Sequence, residues 1–180
     1  ADGPDRDILF RQYVSDPLVS QTLPGQTIRL QVRGREPLAT QDMFLTWSVK
    51  AVSEDGATVR GTLVSIRRDG TELDTGLTNR GDSAPANSLA LQSRDRLVFE
   101  IGTGGDPLVS HDTDLSIGDD NATDLPQDDT TTSAFNPWIE LGTTLTFDVP
   151  TAQLAGAWGL LTLSGEWIEQ GASAAGGARE

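Results

Sequence analysis

The chain contains no cysteine. Structural disulfides, thiolate metal ligands and nucleophilic thiol chemistry are therefore excluded together. Histidine is almost as scarce, with His111 the only one. Basic residues number 13 against 27 acids, for a formal charge of -14, and all but Lys50 are arginine. That balance argues against nucleic acid, whose phosphates need clustered Lys and Arg, and equally against an anionic membrane surface. No apolar run approaches the roughly 18 residues that a membrane-spanning helix needs. The opening Ala-Asp-Gly-Pro-Asp-Arg-Asp lacks the charged-then-apolar layout of a signal peptide, so a soluble chain is expected.

What is present is alternation. Ile28, Leu30 and Val32 alternate with arginine and glutamine. Leu45, Trp47 and Val49 do the same, as do Leu97, Phe99 and Ile101. Residues 59–66 are rich in β-branched side chains. Shorter apolar pairs follow at Leu115 and Ile117 and at Ile139 and Leu141, then Leu145, Phe147 and Val149. Period-two patterning of this kind marks half-buried strands. Turn residues separate the runs at 24–25, 54–56, 102–107 and 118–119, and Asp69-Gly70 inside 67–71 signals a hairpin. One helical turn is expected near 151–154.

The fold expected is all-β, an antiparallel β-sandwich of jelly-roll type with extended N- and C-terminal arms. Its parts are an N-terminal arm at 1–14, a sandwich at 15–150, and a C-terminal extension at 151–180 with a last strand and a loose tail. The chain's 180 residues suit one such domain.

The densest chemistry lies at 106–129, with eight aspartates, His111, and no lysine or arginine. Asp112, Asp114, Asp119, Asp120 and Asp124 offer the hard oxygen ligands that Ca²⁺ prefers. EF-hand spacing fails: counted from Asp112, the glycine position holds Ile117 and the closing glutamate position holds Thr123. Two readings stay open, a calcium site built from loop carboxylates and a solvated acidic connection.

Catalytic patterns fare worse. Ser110, His111 and Asp112 are consecutive, and neighbours on an extended chain point to opposite faces. The Gly-x-Ser-x-Gly elbow is absent. Gly81-Asp82-Ser83 resembles the nucleophile block of Gly-Asp-Ser hydrolases, but without the late Asp-x-x-His that serves it. Glu166 and Glu169, three apart, face away from each other on a strand, which argues against a glycosidase pair. Arg80-Gly81-Asp82 spells an adhesion tripeptide and reads first as an exposed turn. Of the four tryptophans, Trp47 belongs to the core by its register. Trp138 is out of register with Ile139 and Leu141 and is the best candidate for a carbohydrate platform.

Four blocks supply more than any of these motifs. They are residues 11–18 (RQYVSDPL), 55–63 (DGATVRGTL), 95–102 (DRLVFEIG), and 118–126 (GDDNATDLP) through 136–140 (NPWIE). In this order they resemble a group of proteins from bacteriophage and prophage structural regions, mostly without assigned activity. The likeness spans residues 11–147. It implies a β-sandwich virion component that is no enzyme, and it carries over no catalytic residue. Two departures stand out: members often have a longer N-terminal segment, and the stretch from 150 onward, with Trp158 and Trp167, has no counterpart.

The expectation is thus a non-enzymatic virion structural protein, a capsid decoration (cement) protein. The alternative is a tail or adsorption component acting as a lectin-like module through Trp138. Ile8, Leu9, Phe10, Trp158, Trp167 and Ile168 are the candidate assembly residues. Expected partners are copies of itself and other virion proteins, with a host glycan under the alternative and neither nucleic acid nor membrane. No cofactor is expected beyond calcium. The place is the virion, after synthesis in the bacterial cytoplasm.

Overall fold

Alternating apolar side chains need a second layer to bury against, and two antiparallel sheets supply it. The computed structural model describes residues 6–105, 112–116 and 137–148. Among these residues ten strands run in the order β1 (Arg6–Val14), β2 (Gln21–Leu23), β3 (Gln26–Arg35), β4 (Phe44–Val52), β5 (Val59–Glu72), β6 (Thr78–Ala86), β7 (Leu89–Leu91), β8 (Arg96–Gly105), β9 (Asp114–Ser116) and β10 (Trp138–Leu141). One sheet has the order β1-β8-β4-β5 and the other β10-β3-β6, with β9 also on β3. A small ribbon pairs β2 with β7. Every pairing is antiparallel, and no helix occurs among the described residues. The all-β sandwich is as expected.

The core lies where the sequence alternates. Ile28, Leu30 and Val32 from β3 meet Leu45, Trp47 and Val49 from β4 and Leu97, Phe99 and Ile101 from β8, all buried. Each such side chain contributes about 1.5–3 kcal/mol by leaving water. Phe99 organises the middle, stacked on Tyr13 at 6.1 Å and tilted against Trp47 at 6.5 Å.

The turn at 54–56 forms as expected. Gly56 takes φ +73°, and Asp55 Oδ1 accepts from the Ser53 hydroxyl at 2.6 Å and the Ala57 amide at 3.0 Å. Three other turn expectations are corrected. Asp69-Gly70 makes no hairpin, because β5 runs unbroken through it. Thr46 pairs with Arg68 and Phe44 with Glu72, so β5 uses four residues where β4 uses two, a bulge. Asp69 is drawn inward to Arg80 there, which holds the strand on course. Residues 102–105 are likewise strand, not turn. A Cβ at Gly102 would lie 1.9 Å from the Ile8 carbonyl oxygen, so this glycine serves the close approach of β1. Arg80-Gly81-Asp82, finally, is the middle of β6 and pairs with β3.

The expected N-terminal arm is, over residues 6–14, the edge strand β1 on β8. It carries a register shift between Leu9 and Arg11. Residues 151–180, with the expected helical turn and last strand, lie outside the described residues.

Candidate functional site

Opposed residues in an antiparallel ladder point to the same face. On the face of the four-stranded sheet turned away from the core, the register aligns Leu9, Gly102, Thr46 and Arg68 in one row. The next row holds Gln12, Glu100 and Ser48, and the row on the other side holds Asp7, Gly104, Phe44 and Glu72. In the first row the middle positions, Gly102 and Thr46, have a missing or short side chain, with Gly104 and Ser48 in the rows beside them. The result is an open depression of about 180 Å³, lined among others by Asp7, Leu9, Thr46, Ser48, Ile66, Glu100 and Gly102. Leu9 on β1 and Ile66 on β5 form its apolar sides, exposed by 56% and 67%.

Charge closes both ends. At one, the Arg68 guanidinium lies 5.7 Å from the Phe44 ring centroid and donates to Asp7 Oδ1 at 3.0 Å. A Cβ at Gly104 would sit 2.3 Å from that carboxylate oxygen, so the pair crosses β8 where a side chain is missing. At the other end Glu100 collects three donors: Lys50 Nζ at 2.6 Å, the Ser48 hydroxyl at 2.8 Å and Gln12 Nε2 at 2.8 Å. Partial burial alone would raise the Glu100 carboxyl, but these hydrogen bonds outweigh it and hold it below the usual range.

The side of the sandwich at β5 and β6 is bridged by two ion pairs. Arg67 donates twice to Asp82, at 2.7 and 3.1 Å, and Trp47 Nε1 donates to the same carboxylate at 2.8 Å. Arg80 donates to Asp69 at 2.7 Å and also to the carbonyls of Thr71 and Glu72. Burial works to raise Asp82, yet the bonds from Arg67 and Trp47 leave it lowered. Asp69, more deeply buried, stays raised despite Arg80. Both charged members of the adhesion tripeptide are thus committed to structure.

No family model, curated protein or solved structure matches this chain.

The structure places the sequence-predicted residues unequally. Ile8, Leu9 and Phe10 stand exposed on β1, and Leu9 borders the depression. Of the proposed calcium ligands, Asp112 is exposed, and Asp114 sits opposite Arg35 in the ladder and pairs with it at 2.6 Å. Asp119, Asp120 and Asp124 lie outside the described residues, as do Ser110, His111, Trp158, Glu166, Trp167, Ile168 and Glu169. Among the described residues no three His, Cys, Asp or Glu side chains are grouped to hold a metal ion. Trp138 is half-buried in β10 opposite Gln31, and its ring nitrogen is buried with no hydrogen-bond partner among the described residues.

Sequence reading missed Ile66, Arg68, Lys50 and Glu100. The phase of β5 hides Ile66, because Leu63 and Val64 are both buried and the register to β4 shifts between Val49 and Lys50.

Proposed function

We propose that this chain is a non-enzymatic structural protein of a bacteriophage particle, a decoration (cement) protein of its capsid. The observation that carries the reading is the outer face of the four-stranded sheet. There Leu9 and Ile66 leave apolar surface in water beside a depression whose charges are already paired. Such a patch has no value to an isolated chain and suits a protein held by contacts with neighbours. The ordered resemblance of residues 11–147 to phage structural proteins points the same way.

A virion component works through repeated contacts in a symmetric lattice and needs no reactive side chain. Its partners are then copies of itself and the shell proteins beneath. The test is location: mass spectrometry and immunogold labelling of purified particles, followed by addition of the isolated protein to shells that lack it. Saturable binding at a fixed ratio of copies to shell is expected. A protein absent from particles and without affinity for shells sinks the reading.

A further inference from the structure

We propose that the outer face of the four-stranded sheet binds a second copy of this chain face to face, with Ile66 of each copy seated in the depression of the other. The inference rests on the reading of this face as an assembly surface and names its partner.

Three features select a second copy. The first is shape. A two-fold interface uses one patch twice, so the patch must carry both a projection and the hollow that receives it. Ile66, 67% exposed, is the projection. The hollow of about 180 Å³ beside it, floored by Gly102, Thr46 and Ser48, has room for a branched aliphatic side chain. The second is charge. The whole chain carries a formal -14, and two such copies repel wherever their acidic surfaces meet. The acids that line the depression are each matched, Asp7 by Arg68 and Glu100 by Lys50, which leaves Glu72 as the further acid in the outer row. Two copies meet less like charge here than over acidic surface without such partners.

The third is the state of the sheet edge. The register of β1 shifts between Leu9 and Arg11, and a bulged edge strand is a poor template for another strand. Association is thereby directed to the face, where Leu9 stands 56% exposed.

Sedimentation velocity of the full chain over a range of concentrations tests the proposal, with I66K and L9E as variants. Both positions are exposed, so far-UV circular dichroism should stay at the wild-type level. The wild type is expected to dimerise, and each variant to dimerise at least about tenfold more weakly. An equimolar mixture of I66K and L9E is expected to recover dimer, because the ammonium introduced in one copy then meets the carboxylate introduced in the other. A wild type that stays monomeric overturns the proposal, as does a dimer indifferent to I66K or a mixture without recovery. The two readings separate cleanly. A wild type that stays monomeric yet binds shells loses this interface and keeps the virion role. A dimer that never enters particles keeps the interface and loses that role.

Discussion

Asp7 and Arg68 join the first strand of the four-stranded sheet to its last, carboxylate to guanidinium at 3.0 Å, across the bare backbone of Gly104. Neither side chain is fully shielded from solvent, so the pair contributes at most about 1 kcal/mol. Its larger effect is to fix one end of the depression.

Two glycines on β8 should therefore respond differently to the same substitution. In G104A the new methyl meets side-chain atoms, Asp7 Oδ1 at 2.3 Å and Arg68 Nη2 at 2.7 Å, which can swing aside. The expected loss is below about 1 kcal/mol. In G102A it meets the Ile8 carbonyl oxygen at 1.9 Å, which moves only if β1 moves. About 2–3 kcal/mol is expected there. Urea denaturation of the two variants checks the order, and equal losses would contradict the close approach of β1.

Asp82 holds Arg67 and the Trp47 indole at once. D82A leaves a buried indole N–H and a half-exposed guanidinium without their acceptor. Removing one partner of a buried pair is strongly destabilising, and the exposure of Arg67 places this case at about 2–3 kcal/mol. Trp47 emission should shift with it. A variant as stable as the parent would show that the bridge between β5 and β6 adds nothing.

Acid and neutral stability should be governed by different carboxyls. Asp82 and Glu100 are held below their usual range, so what they contribute is present above that range and fades as pH falls through their lowered values. Glu72 is raised, chiefly by its hydrogen bond with Glu36 and then by partial burial, with Asp42 adding to it. Its contribution is full at low pH and is lost as pH rises through the raised value. E72Q should therefore melt at a higher temperature than the parent at pH 7, with the gap closing below the ordinary carboxylate range. Thermal melts at several pH values decide this; a gap that grows toward acid pH has the wrong sign.

The core was legible because burial follows a local rule. Ile28, Leu30 and Val32, or Leu97, Phe99 and Ile101, announce their face by alternation alone. Turn chemistry misled where a distant partner decided the outcome. Asp69-Gly70 spells a hairpin until Arg80 is seen to bind Asp69, and Gly102 reads as a loop until the Ile8 carbonyl is seen above it. The depression was hidden for the same reason. Its rows join Leu9, Gly102, Thr46 and Arg68 from four strands, and bulges in β1 and β5 shift the phase on both sides.

The ion pairs between β5 and β6 also set how this sandwich comes apart. Arg67 with Asp82 and Arg80 with Asp69 rivet one flank, whereas β1 and β10 are the edge strands of the other. Tension applied through residues 6 and 148 falls on that flank, where Arg94 holds Asp148 at the surface at 3.2 Å. Strands peel there one at a time, while the riveted flank is loaded last. In the proposed virion role, a particle that swells would load this protein first at that edge and last at the contact between β5 and β6.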